Sequence, residues 1–219
     1  MNFTFLDKYL NYYIKGAEIT VVLAFFAVLL GTVFGLVLTL LRRSKIKPIS
    51  FIASAYVEFV RGTPLLVQIY IIYIGLPNLI GIDLSDMAVG IVALSLNSAA
   101  YVSEIIRAGI EAVDKGQMEA ARSLGMTQTQ AMWDIIIPQA FKNILPALGN
   151  EFISVIKESS MVSVIGVAEL MYNAGIVRGN TALGLEPIVV AAVIYFVITF
   201  TLTRGLKYVE SRLKASDIR

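Results

Sequence analysis

Ionisable side chains lie inside long apolar stretches of this 219-residue sequence, and they are the first candidates for chemistry. One set recurs at spacings of three and four residues, so a helix would carry it on a single face; it comprises Glu151, Ser154, Glu158 and Met161. Charged groups in a membrane interior are costly and mark substrate or ion pathways. We therefore predict that this face contacts a transported substrate, while pairing of single residues for structural reasons is the alternative.

Two further polar sets follow the same logic. Asn97, Tyr101 and Glu104 share a helical face in another apolar stretch. The triplet Gly62-Thr63-Pro64 should interrupt a helix, and interrupted helices expose backbone groups that can hold a charged ligand. The candidate substrate contacts around this interruption are Glu58, Arg61, Thr63, Val67 and Tyr70. An i,i+3 pair of Glu58 with Arg61 and simple packing of Val67 are the structural alternatives.

The sequence lacks the residues that most enzyme sites need. It contains no Cys and no His, which excludes thiol nucleophiles, His proton relays and His-based metal sites. It also has no Gly-Lys pair, so it cannot form a phosphate-binding P-loop. We predict no catalytic and no metal site. If the chain drives transport, the energy comes from an ion gradient or from a separate ATPase; a passive pore is the third option.

The composition sets the elements that must position these residues. The chain is 57% hydrophobic and 16% charged, against about 25% charged in soluble domains. A membrane-spanning helix needs about 20 apolar residues. We predict an all-α membrane protein of one domain, residues 1–219, with five spans at 17–42, 50–80, 86–108, 140–168 and 187–210. The segment Thr4–Lys15 is predicted as a short surface helix or an aromatic anchor.

The distribution of basic residues predicts the orientation. Of the 18 Lys and Arg residues, 13 follow the first, third and fifth spans, and three lie in the segments on the opposite side. The positive-inside rule places the richer side in the cytoplasm. The N-terminus is then outside and the C-terminus inside, as an odd number of spans requires. Because topology explains the basic clusters, nucleic-acid binding is not predicted.

The largest polar segment, approximately residues 109–138, is predicted to lie on the cytoplasmic side as two short helices. Good helix formers fill Gln117–Leu124, and Gly125 can end that helix in the left-handed conformation. Thr127 suits the N-cap of a second helix reaching Ile136, and Pro138 should break or kink the chain at that helix's end. From the residues alone, docking of a partner and an ordinary linker remain equal alternatives.

A sequence motif in this segment narrows the choice. The run Glu119-Ala120-Ala121, then Gly125, then Ile135-x-Ile137-Pro138 resembles the EAA motif of ABC importer permeases, departing only at Ile137, where that motif has Leu. Four stretches resemble the polar amino-acid branch of that family: FVRGTPLLVQ, AAYVSEIIRAGIEAV, GQMEAARSLGM and PQAFKNILPALGNEFISVIKESSM. The resemblance covers roughly residues 17–210.

The resemblance implies both a fold and a set of partners. The implied fold is a type I (MetI-like) permease with five spans, in a bacterial cytoplasmic membrane, paired with a second permease subunit. A homodimer is expected, with a homologous partner as the alternative. A cytoplasmic ATPase dimer would bind the ATP and Mg, and this chain would bind no cofactor. An external binding protein would deliver an amino acid. The ATPase-coupling residues would be Gln117, Glu119, Ala120, Ala121, Arg122 and Gly125.

The charge balance within the spans then suggests the substrate. Four acids, Glu58, Glu104, Glu151 and Glu158, exceed the two bases, Arg61 and Lys157. An excess carboxylate in a medium of low dielectric constant favours a cation or a proton. We therefore predict a basic amino acid (arginine, lysine or histidine), with glutamine and glutamate as competitors. An ion-coupled secondary carrier that uses these carboxylates and a non-transporting or channel subunit are the competing functions.

Overall fold

The computed structural model describes residues 2–81 and 83–215, the side chains of residues 80, 214 and 215 excepted, and within these ranges it contains no β-strand. The helices are α1 (Leu6–Arg42), α2 (Lys47–Gly62), α3 (Leu65–Ile80), α4 (Asp86–Glu111), α5 (Lys115–Ser123), α6 (Gln128–Ala131), α7 (Ile137–Glu158), α8 (Leu170–Thr181) and α9 (Glu186–Ala215), with a π-helical turn at Met132–Ile136 and a 3₁₀ segment at Ser159–Ile165. Arg219, one of the basic residues behind the predicted orientation, lies outside the described residues.

Three helices are long and apolar enough to cross a membrane without interruption: α1, α4 and most of α9. The remaining apolar segments are bent. α2 and α3 meet at 115°, and the stretch Gln128–Ile165 meets α8 at 51°. Counting each bent pair as one span brings the number to five. The structure thus has three to five candidate spans, and five spans remains a prediction, as does the orientation of the termini.

The structure shows the form of two predicted elements. The interruption predicted at Gly62-Thr63-Pro64 is confirmed, because Pro64 holds Thr63 in an extended conformation (φ −120°, ψ 148°) that ends α2. For Thr4–Lys15, the alternative of a separate surface helix is wrong, and the aromatic anchor stays a prediction. The residues of this segment from Leu6 onward form the first turns of α1, which runs for 37 residues without a break.

A break or a kink is predicted at Pro138, and of these two outcomes the break is not formed. Proline cannot donate to the carbonyl four residues earlier, and a helix can absorb this by widening a turn. The structure does so at Met132–Ile136, where the N–H of Ile137 bonds to the carbonyl of Met132 in a π-helical turn. α7 continues directly beyond it, so α6, the π-helical turn and α7 form one continuous helical stretch.

The centre of the fold is the packing of α1 against α4. A Cβ atom added at Gly31 would lie 2.8 Å from Cβ of Ser98, and one at Gly35 would lie 2.8 Å from Cβ of Val102. These glycines therefore permit a close helix crossing, as small residues do in membrane proteins. α4 is the most enclosed of the three uninterrupted candidate spans. Of the candidate polar residues on α4, Asn97 is buried, Glu104 is half-buried and Tyr101 is exposed.

Candidate functional site

The segment that is predicted to be cytoplasmic is built by local capping. The side chain of Asp114 accepts a 2.7 Å hydrogen bond from the N–H of Gly116, which starts α5. Gly125 has φ +87°, so the predicted left-handed turn is confirmed. The guanidinium of Arg122 donates to the carbonyl of Met126 (2.7 Å) and closes this turn. Thr127 is confirmed as an N-cap, forming a capping box with Gln130.

The outer face of this segment is open to a partner. Gln117, Glu119, Ala120, Arg122 and Gly125 are exposed, whereas Ala121 is buried. Leu124 was not predicted from the sequence, yet its side chain is 86% exposed at the tip of the turn. The turn therefore presents an apolar group beside charged ones.

The inner face of the segment is anchored to the long helices. Val113, Ile136 and Ala140 form a buried cluster against which Met118 of α5 packs. The amide of Gln139 also donates to the side-chain oxygen of Gln117 (3.3 Å). A force on α5 would therefore reach the ends of α4 and α7 through packed side chains.

The break between α2 and α3 is closed by one buried side chain. The amide nitrogen of Gln68 donates to the carbonyl oxygens of Val60 (2.7 Å) and Thr63 (3.1 Å) and to the hydroxyl of Thr63 (2.9 Å). Its oxygen accepts a 2.9 Å hydrogen bond from Asn97. Thr63 and Asn97, both predicted substrate contacts, are therefore engaged in holding this break. Gln68 itself was not predicted, because in the sequence it looks like a single polar residue in an apolar run.

The predicted polar face on α7 lies against α4. The hydroxyl of Ser98 donates a 2.8 Å hydrogen bond to Glu151. Glu151, Ser154 and Glu158 are half-buried along α7. Met161 lies beyond α7 in the 3₁₀ segment, where side chains three residues apart eclipse one another, so it stays on the side of Glu158, and it is exposed. No salt bridge to Glu151 or Glu158 exists within the described residues.

Glu104 is surrounded by three arginine side chains, so its charge is compensated within the protein. It lies 3.1 Å from Arg42 and 3.8 Å from Arg61, and it also pairs with Arg107. The guanidinium of Arg61 additionally lies over the ring of Tyr101, 5.7 Å from its centroid. The acid that Arg61 approaches is thus Glu104, and the expected structural pair with Glu58 is not formed. Glu58 is exposed, as are Val67 and Tyr70.

A buried acid that was not predicted from the sequence lies between the 3₁₀ segment and α8. Glu169 is fully buried and caps α8 by accepting from the N–H groups of Met171 (2.9 Å) and Tyr172 (2.7 Å). The hydroxyl of Tyr195 donates to it at 2.6 Å, and that of Thr20 at 3.5 Å. Glu169 thus ties α1, α8 and α9 together. Its side-chain partners Thr20 and Tyr195 are distant in sequence, so no local pattern pointed to this contact.

The chain resembles known transport proteins over most of its length. A family described as "binding-protein-dependent transport system inner membrane component" matches residues 27–215. The chain is 44% identical over 220 residues to the arginine transport system permease protein ArtQ of Bacillus subtilis (strain 168), covering 99% of both. It is 40% identical over 216 residues to the probable glutamine ABC transporter permease protein GlnM of the same organism, covering 99% of this chain and 100% of that protein.

Two solved structures are similar in fold. A crystal structure of an amino acid ABC transporter with histidines superposes with a TM-score of 0.92 and 51% identity, covering 97% of this chain and 100% of the other. The inward-facing MetNI methionine ABC transporter superposes with a TM-score of 0.78 at 18% identity, covering 93% and 97%. The second likeness concerns the fold alone.

Proposed function

The chain belongs to the family of binding-protein-dependent transport system inner membrane components, and from this membership we infer that it is the permease subunit of an amino-acid ABC importer. It is a multi-pass inner-membrane transport component and not itself an enzyme, and it has the MetI-like permease fold. Membership in this family disfavours the ion-coupled secondary carrier. The observation that carries the proposal is the anchored cytoplasmic segment, which has no use in such a carrier.

In this proposal, the ATPase docks on the outer face of α5 and the Gly125 turn. Support comes from Glu119 and Arg122, which are exposed there, and from Leu124, which projects as an apolar anchor. Interfaces derive most of their binding energy from a few such side chains. ATP and Mg bind to a cytoplasmic ATPase dimer, and closure of that dimer moves α5 together with α4 and α7.

An extracytoplasmic binding protein delivers the substrate to a pair of permeases. We propose that this pair is a homodimer, with a homologous second permease as the alternative.

The proposed substrate is a polar, basic amino acid. The original charge balance needs correction, because Glu104 is engaged by arginines. The support now rests on Glu151 and Glu158, which are half-buried and form no salt bridge among the described residues; one base, Lys157, is adjacent to this pair of acids. An uncompensated carboxylate favours a cationic ligand. The relative named for arginine agrees with this choice, and the relative named for glutamine supplies the competing substrate.

The test is uptake into liposomes that contain the permease purified with its accompanying subunits. We expect uptake of labelled arginine that requires ATP and persists in the presence of an uncoupler. Uptake that survives ATP depletion and stops with an uncoupler would instead establish the secondary carrier. Competition by unlabelled amino acids then assigns the substrate: we expect lysine to compete and glutamate not to. Competition by glutamine alone would contradict the basic substrate and leave the importer itself intact.

A further inference from the structure

A cavity of about 770 Å³ lies where the ends of α1 and α4 meet α5 and the π-helical turn. It is separate from the outer face of α5 and from the residues predicted to contact substrate. Its wall contains both basic and apolar side chains. The basic side chains around it are Arg42, Arg43, Arg107 and Lys115, and the apolar ones are Ile110, Val113, Met118, Met132 and Ile136.

The cavity carries positive charge that its own acids do not neutralise. Arg42 pairs with Glu104, and Arg107 pairs with Glu104 and Glu111. Asp114, the other acid in the wall, accepts the N–H of Gly116 as the cap of α5. In contrast, Arg43 and Lys115 are exposed, and neither forms a salt bridge with any residue that the structure describes. Two cationic groups are thus available to an anion.

The apolar wall decides which kind of anion fits. A small hydrated anion gains nothing from Ile110, Val113 and Met132, whereas a group that joins a phosphate to hydrocarbon can bury apolar surface there. The cavity also lies at the end of the apolar part of α1, next to the basic run Arg42–Lys47. This is where a membrane surface meets water, and the positive-inside rule assigns this end to the cytoplasmic leaflet. Basic pockets between helices at that level bind anionic lipid headgroups.

We propose that this cavity binds an anionic phospholipid of the cytoplasmic leaflet. Arg43 and Lys115 hold its phosphate, and the apolar wall receives its glycerol and the first methylene groups. Because Arg43 follows α1 and Lys115 begins α5, the lipid bridges the membrane-embedded core and the cytoplasmic segment. This inference concerns a different surface from the substrate pathway and does not depend on which amino acid is transported.

The experiment is native mass spectrometry of the full chain, purified in mild detergent with its accompanying subunits. Phosphatidylglycerol is titrated as the probe, phosphatidylcholine serves as the uncharged comparison, and inorganic phosphate is the competitor. The test variant is Arg43→Gln/Lys115→Gln. The matched control is Lys45→Gln/Lys47→Gln, which removes the same charge from the same membrane boundary but outside the cavity wall. Thermal unfolding of both variants verifies that they are folded.

We expect the wild type to retain phosphatidylglycerol in preference to phosphatidylcholine. In the test variant, the affinity should fall by about thirtyfold, the effect of losing two basic contacts near a membrane surface. The control should retain most of its affinity. Equal affinity for both lipids, an unchanged test variant or an equal loss in the control would overturn the site. Displacement of the lipid by millimolar inorganic phosphate would overturn the lipid assignment, because the ligand would then be soluble phosphate.

Discussion

Asn97 on α4 donates a 2.9 Å hydrogen bond to the side-chain oxygen of Gln68 on α3. The neighbouring residue, Ser98, donates to Glu151 on α7. Two successive side chains of the central helix therefore hold the broken segment on one side and the carboxylate-bearing helix on the other. Because buried polar groups are costly when unpaired, these bonds fix where both helices lie.

Gln68→Leu should destabilise the protein through the break between α2 and α3. Leucine has a similar size but leaves the carbonyl of Val60 and the amide of Asn97 without their partner. We expect the free energy of unfolding to fall by about 2 kcal/mol or more, seen as a lower Tm in detergent. Gln128→Leu, at an exposed position, is the control and should change the Tm little. Equal shifts in the two variants would mean that Gln68 does not hold the break.

Neighbouring arginines at the end of α1 should behave differently on substitution. Arg42 lies 3.1 Å from Glu104, and both side chains are about one-fifth exposed (21% and 20%). Arg43 is exposed and has no described acidic partner. We expect Arg42→Gln to lower the stability by roughly 1–3 kcal/mol, because it leaves a partly buried acid with fewer cations, and Arg43→Gln to change it by less than about 0.5 kcal/mol. Thermal unfolding decides; the same Tm for both would refute the structural role of the cluster.

What the sequence could predict was governed by local chemistry. The left-handed turn at Gly125 and the N-cap at Thr127 depend on residues a few positions apart, and both predictions are confirmed. The helical structure of the long apolar stretches also followed from composition alone. At Pro138 the sequence leaves a break and a kink open, and only the structure shows that the chain continues through a widened turn.

The remaining features depend on residues that are distant in sequence. The 115° angle between α2 and α3 requires Gln68 to find Asn97, which is 29 positions away. Glu104 pairs with Arg107, which follows it by three residues, but its partner Arg42 lies 62 positions earlier, so the sequence alone overstates the excess of acid at this level. Periodicity places a side chain on a face but does not say what lies opposite it. For this reason the substrate contacts remain predictions.

Tyr195→Phe should expose the role of the buried Glu169. The substitution keeps the ring and removes only the hydroxyl that donates to Glu169 at 2.6 Å. Glu169 retains its backbone donors on α8, so we expect a moderate loss of about 1–3 kcal/mol in the free energy of unfolding. Tyr73→Phe, at an exposed ring, is the control. An unchanged Tm for Tyr195→Phe would show that the contact between α8 and α9 does not need this bond.

Leu124→Asp should weaken ATPase binding without affecting the fold. The side chain is 86% exposed, so its replacement leaves no cavity. We expect the affinity of the purified permease for its ATPase to fall about tenfold or more, as for other anchor residues at interfaces. Leu185→Asp, at an exposed leucine in the connection between α8 and α9, is the matched control. Equal effects of both substitutions would place the docking surface elsewhere.

Gly125→Val should abolish coupling while the chain still inserts in the membrane. The backbone at Gly125 has φ +87°, and a β-branched side chain is strongly disfavoured there, although no neighbouring atom would contact a Cβ. The effect is therefore conformational rather than steric crowding: the turn changes shape, and Leu124 moves away from its docking position. We expect ATP-driven uptake to fall by at least about tenfold, a change that the loss of one anchor residue from an interface can produce.

Gly184→Val is the control, since Gly184 has open space around it and no positive φ. The membrane content of both variants is measured beside uptake. Normal uptake by Gly125→Val would refute the docking turn, whereas loss of uptake with normal membrane insertion would assign the defect to coupling.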